Sequence, residues 1–160
     1  METLNTDEKF ENNLDVVLED IIDTDLVPLA PDGFLLESHL GFGRWQLHSE
    51  EIELFLSEEQ KKKFHLGNRL KKLLWSLKDK KFLNVNVLDY LLAHQELIPE
   101  SWKGKYIFFW GTIYSRAGDG RCVYCLYWSG GKWTRIFRWL DIGFGLNSND
   151  FAATIPWVNN

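Results

Sequence analysis

Gly104-Lys-Tyr-Ile-Phe-Phe-Trp-Gly-Thr-Ile-Tyr114 runs through an Ala117-Gly-Asp-Gly120 turn into Arg121-Cys-Val-Tyr-Cys-Leu-Tyr-Trp128. Ser129-Gly-Gly-Lys132 follows, then Trp133-Thr-Arg-Ile-Phe-Arg-Trp-Leu140. Aromatic and β-branched side chains suit a pleated, half-buried surface, so these runs read as strands of an antiparallel meander over about 105–140. Gly130-Gly131 is a hairpin turn, because glycine takes the positive φ that a two-residue type I′ loop requires.

That loop sets a register. Trp128 faces Trp133, Leu126 faces Arg135, Tyr124 faces Phe137 and Cys122 faces Trp139, and alternation puts all eight on one side. The opposite side holds Val123, Cys125 and Tyr127 across from Arg138, Ile136 and Thr134. Pairing Arg116 with Arg121 would add Phe109 and Ile113 to the aromatic side, and Phe108, Trp110, Thr112 and Tyr114 to the other.

Both sides carry large apolar groups, so both need cover. The side with Val123, Cys125, Ile136 and Leu140 has the smaller, more aliphatic side chains and is expected to face the core under two helices. Tyr124, Trp128, Trp133, Arg135, Phe137 and Trp139 are then the expected contact surface. Rings interleaved with a guanidinium make a stacking platform. The competing account is that the same rings form a second core layer, the commonest fate of an aromatic.

Outward from the meander, Ser57-Glu-Glu-Gln60 matches a capping box and opens a helix over about 58–78. Phe64, Leu70, Leu73, Leu74 and Leu77 form its apolar stripe, and Gly67 weakens it. Asn86 is read as the cap of a second helix over about 86–95, with Val87, Leu88, Leu91 and Leu92 inward. Residues 7–23 form an amphipathic pattern on Phe10, Leu14, Val17, Leu18, Ile21 and Ile22. Val27-Pro-Leu-Ala-Pro-Asp-Gly33 breaks it. The expected organisation is therefore an acidic helical arm, 1–27, before a single α+β domain, 34–158. Arg44–Leu47 suits a short strand, and Ile52–Leu56 suits strand or helix.

The chain has 160 residues, 45% of them hydrophobic, with eight tryptophans, which is enough for one sizeable core. Charge is segregated within a net −5. Residues 1–25 hold Glu2, Asp7, Glu8, Glu11, Asp15, Glu19, Asp20, Asp23 and Asp25 against Lys9, while the remainder is slightly basic. Much of that excess lies between Lys61 and Lys81. Lys61, Lys62, Lys63, Arg69, Lys71 and Lys72 are the candidate phosphate contacts of a nucleic-acid reading, although lysines on an amphipathic helix usually form its solvated side. The acidic start lacks a signal peptide's basic and apolar segments, and no apolar run reaches membrane-spanning length. A cytoplasmic protein without a membrane association is the expectation.

Several chemistries lack their residues. Cys122-Val-Tyr-Cys125 is a CxxC on a strand, where positions i and i+3 point to opposite sides, so the thiols diverge from any shared metal or disulfide. His39, His48, His65 and His94 are scattered and form no metal-ligand spacing. Gly41-Phe-Gly43 and Gly143-Phe-Gly145 lack the glycine pattern and strand–helix context of a phosphate loop. No GxSxG is present. No catalytic residue, metal or cofactor is therefore assigned.

Leu54-Phe-Leu-Ser57, Asn84-Val-Asn-Val-Leu-Asp-Tyr-Leu-Leu92 and Leu97-Ile-Pro-Glu-Ser-Trp-Lys-Gly-Lys105 carry a resemblance. It continues through Ile107-Phe-Phe-Trp-Gly-Thr-Ile-Tyr114, Leu126-Tyr-Trp128, Trp133 and Trp139-Leu-Asp141, and includes Glu37-Ser-His-Leu-Gly41. On these residues the chain, from about 55 to 153, resembles a widespread group of uncharacterised bacterial proteins. The resemblance implies no activity. The favoured expectation is a non-catalytic binding module for a protein or peptide. Nucleic-acid binding is the first alternative and an enzyme with an unfamiliar site the second. The oligomeric state is left open.

Overall fold

The double-glycine turn forms as its length demands, with φ of 61° at Gly130 and 78° at Gly131. Trp128 pairs with Trp133, Leu126 with Arg135, Tyr124 with Phe137 and Cys122 with Trp139, so the register read from the loop is the register of the hairpin.

The computed structural model describes residues 21–62, 67–141 and 145–157. Its strands are β1 Ile21–Asp23, β2 Leu35–His39, β3 Arg44–Gln46, β4 Glu53–Phe55, β5 Lys80–Phe82, β6 Tyr106–Phe108, β7 Thr112–Arg116, β8 Gly120–Ser129, β9 Lys132–Trp139 and β10 Asp150–Pro156. The α-helices are α1 Glu58–Lys62, α2 Gly67–Trp75 and α3 Val85–Ala93. The fold is thus mixed α+β and dominated by strands. β1 and β3 form a two-stranded ribbon, and the other strands form one sheet ordered β2-β7-β8-β6-β10-β4. β9 lies along the free edge of β8, and β5 pairs with β10. β6 and β10 run parallel; every other pair in this sheet is antiparallel.

β6 and β7 share one edge of β8 but are not continuous. Residues 109–111 turn between them, with the Thr112 amide donating to the Phe109 carbonyl. The interruption resets strand parity. β7 pairs Arg116 with Gly120 and Tyr114 with Cys122, one residue away from the expected Arg116–Arg121 register. Tyr114 therefore joins the aromatic side and Ile113 the other, the reverse of the expectation. Gly111 sits where another chain crosses: a Cβ there would lie 2.8 Å from the Phe82 carbonyl oxygen and 2.9 Å from Asn84 Cβ. Its amide donates to the Leu83 carbonyl.

The two helices expected on one side of the sheet are divided between its two sides. Leu70 and Leu74 of α2 are buried with Phe108, Trp110, Ile113, Val123, Cys125 and Leu140. Val85, Val87, Leu88 and Leu91 of α3 are buried with Ile107, Phe109, Tyr114, Cys122, Tyr124, Leu126 and Trp133. A sheet apolar on both sides excludes water from both, and one helix against each does so. The arrangement expected from the sequence left the aromatic side open; in the structure that side is half covered.

The capping box is present: the Gln60 amide donates to Ser57 Oγ at 3.1 Å and the Ser57 amide to Gln60 Oε1 at 3.2 Å. Gln60 is buried and also donates to the Asp150 carbonyl at 2.8 Å, tying α1 to the start of β10. The helix expected over 58–78 appears as α1 and α2, either side of residues outside the described set. The second helix starts earlier than expected. Asn84, not Asn86, is its cap, accepting from the Asn86 amide at 3.1 Å.

The Asn84 side chain also donates to the carbonyls of Thr24 (2.9 Å) and Leu40 (3.0 Å). His39 joins the same cluster, with Nε2 2.9 Å from the Thr24 carbonyl and Nδ1 2.9 Å from Thr112 Oγ1. A carbonyl only accepts, so Nε2 carries the proton. The Thr112 hydroxyl also accepts from the Val85 amide. These bonds bind β1, β2, β7 and α3 together. The helix expected over 7–23 lies outside the described residues except at its end, where Ile21–Asp23 is a strand paired with β3. Residues 21–25 of the expected arm are thereby bonded into the body.

Candidate functional site

The six side chains expected to form one platform occupy two environments. Trp133 and Tyr124 are 6% and 9% exposed and belong to the core under α3. Trp128 is half-buried, packs edge-on against Trp133 at 5.3 Å, and carries the Lys103 ammonium 3.9 Å above its ring. The helix and the Pro99–Trp102 turn lie over this end of the sheet, with Trp102 itself buried.

The other end is open. Phe137 is 37% exposed and meets Tyr124 at 6.0 Å, Trp139 at 5.1 Å and Phe34 at 5.8 Å, each edge-on. Phe34 and Trp139 lie nearly parallel at 6.1 Å. The Arg116 guanidinium sits 5.1 Å from the Phe34 ring and 4.9 Å from that of Trp139. Arg135 lies 4.9 Å over Tyr124 and donates to Asp89 of α3 at 2.8 Å. Offset and edge-to-face rings with cations over their faces are the favoured geometries of such groups.

Burial acts on the ionisable groups here. It pushes the Asp89 carboxyl above its usual range, with Arg135 pulling the other way. It raises the Tyr124 phenol and pushes Tyr114 up to about 12. Both phenols are thereby moved further from neutrality.

The loop that leads into Phe34 carries exposed apolar side chains. Leu26, Val27 and Leu29 are exposed, Leu29 at 94%. The loop is anchored at one end by Asn86, which donates to the Leu26 carbonyl at 2.8 Å. At the other end Phe34 packs on Phe137 and Trp139. Phe34, Arg116, Asp89 and this loop escaped the sequence reading. A Pro-rich connection carries no sign of which strands it crosses, and Arg116 lies beyond the strand pattern that selected the rings.

The described basic residues of the lysine alternative lie on α1 and α2. Lys61 pairs with Glu58 at 2.7 Å, while Lys62, Arg69 and Lys72 are exposed. Lys71 lies 4.5 Å over the Trp75 ring, and desolvation holds its ammonium below the usual range. Lys63 lies outside the described residues.

Cys122 and Cys125 are buried on opposite sides of the sheet, and loss of water raises them to about 11 and about 12. Among the described residues no group of three or more His, Cys, Asp or Glu side chains gathers to hold a metal ion. Among those residues, too, no helix is long and apolar enough to cross a membrane. No protein-family model, curated protein or solved structure matches the chain, so the resemblance drawn above stands on its residues alone.

Proposed function

We propose that the protein is a non-catalytic interaction module. It docks a protein segment on the open end of its aromatic side, through Phe137, Arg135 and Trp139, with Phe34 and the Leu26–Leu29 loop as flank. One observation carries this reading: the exposed Phe137 ring belongs to a half-covered cluster with Arg116 and Arg135 over its rings, and the loop leading into Phe34 exposes Leu26, Val27 and Leu29. Contiguous exposed apolar surface marks interaction sites. Aromatic and arginine side chains supply most of the energy at such sites, because rigid rings lose little entropy on contact. Trp133 and Tyr124 support the surface from beneath. A cytoplasmic setting accompanies this reading.

The test is a capture experiment with wild type and two variants, Phe137→Asp and Leu29→Asp. A partner retained by wild type, lost with both variants and rebound from purified components supports the proposal. Its affinity should change little between low and moderate salt, because apolar docking releases few counterions. A partner that both variants retain refutes the assignment of this surface.

A further inference from the structure

The basic stretch Lys78–Lys81 has no part in the surface above, yet it borders a depression of its own. From Phe42, Trp75 and Trp157 on its apolar wall and Lys78, Lys80 and Lys81 on its rim, we infer that this cavity of about 360 Å³ binds a nucleoside phosphate. The volume lies in the range of small-molecule sites.

The parts are held in place by bonds that do not need a ligand. The Trp157 amide donates to the Asp79 carbonyl at 3.0 Å, which brings the indole onto the lysine loop. The Lys81 ammonium stands 3.8 Å over the Trp157 ring. Trp75 donates through Nε1 to the Trp110 carbonyl at 3.2 Å, fixing its plane. Lys80 is shared between Glu53, at 3.7 Å, and the face of Phe55, at 4.8 Å. Among the described residues no carboxylate lines the cavity.

A second depression of about 480 Å³ lies across Phe42 and Trp157 and is lined by Glu50, Glu51 and Glu53 with Arg44. Trp157 thus divides a basic hollow from a mainly acidic one. An anion is directed to the lysine side, and the flat ring of the same ligand has indoles to stack on. Aromatic walls with ammonium groups at the rim are the elements by which proteins hold a base and its phosphate. A simple anion would use only the lysines, and a neutral ring only the walls. A nucleoside phosphate uses both.

Its source is a free nucleotide or one residue of a single strand, and two probes separate them. AMP and a ten-residue oligothymidylate are each titrated into the full chain, with tryptophan fluorescence and calorimetry as readouts. Inorganic pyrophosphate serves as the anion control. The expected result is saturable binding of at least one nucleotide probe, with pyrophosphate at least tenfold weaker. Trp157→Ala weakens binding roughly tenfold or more, the scale of one lost base–ring stack. Lys78→Glu with Lys81→Glu does the same, while Phe137→Asp leaves affinity unchanged. Binding of AMP identifies a mononucleotide site; binding of the oligonucleotide alone identifies a single strand. Trp157 is 40% exposed, so its variant is expected to fold, and an unchanged near-ultraviolet circular dichroism spectrum checks this. Neither probe saturating at millimolar concentration, equal affinity for pyrophosphate, or indifference to Trp157→Ala overturns the inference.

Discussion

Trp133→Ala separates the core from the contact surface. Trp133 is 6% exposed and packed within the cluster that holds Leu88, Leu91 and Trp102. A tryptophan buries about 150–250 Å², and at about 25 cal/mol per Å² this is roughly 4–6 kcal/mol of lost transfer energy as an upper bound. Measured truncations of buried aromatics to alanine centre on about 3–5 kcal/mol, the range expected here. Urea denaturation followed by circular dichroism gives the number. With a slope of about 2 kcal/mol per molar, the midpoint falls by roughly 1.5–2.5 M. Phe137→Ala, at a ring 37% exposed, should cost about half as much. Leu29→Ala, at 94% exposure, should cost almost nothing. A loss below about 1.5 kcal/mol for Trp133→Ala, or an equal loss at Phe137, refutes the division of the aromatic side into covered and open halves.

Alkaline stability follows from the buried thiols. Burial raises Cys122 to about 11 and Cys125 to about 12, against an ordinary value of 9.0. Above pH 9 the native state then binds more protons than the unfolded chain. The stabilisation is fully present below that pH and is lost as pH rises toward the native values, at about 1.4 kcal/mol per pH unit for each thiol. Between pH 9 and 10, where an unfolded thiol goes from half to about nine-tenths ionised, Cys125→Ala should shallow the decline by about 1 kcal/mol; an unchanged slope contradicts the assignment. Gly111→Ala should destabilise by about 1–3 kcal/mol, because its Cβ would meet the Phe82 carbonyl at 2.8 Å. Thermal unfolding should show a drop of roughly 3–10 °C, and a change under about 1 °C would mean the crossing backbone yields freely.

What the sequence disclosed and what it hid divide along a physical line. The β8–β9 register was legible because two glycines leave one loop geometry, and strand alternation does the rest. The capping box at Ser57 and Gln60 was legible for the same reason: its partners lie within one helical turn. The parity of β7 was not, because the turn at 109–111 accommodates Leu83 and Asn84, which arrive from a distant part of the chain. Asn84 and Asn86 are equally good caps locally; bonds from Asn84 to Thr24 and Leu40 decide between them. For the candidate site, the rings were identifiable as a set, but which of them stay open depends on where α3 lies. Arg116, Phe34 and Trp157 gave no signal, since each acquires its neighbours only from remote segments.

The placement of β10 has an implication for how the molecule is made. Among the described residues β4 and β5 pair with β10 and with no other strand of the sheet, and β6 takes it as its parallel neighbour. Residues 53–55 and 80–82 therefore wait, edges bare, until residues 150–156 have been synthesised. The contacts that complete the sheet there span about a hundred positions, a topology that slows folding. In the interval those unpaired edges are open to any passing strand, and a cell making this protein has reason to keep a chaperone at hand.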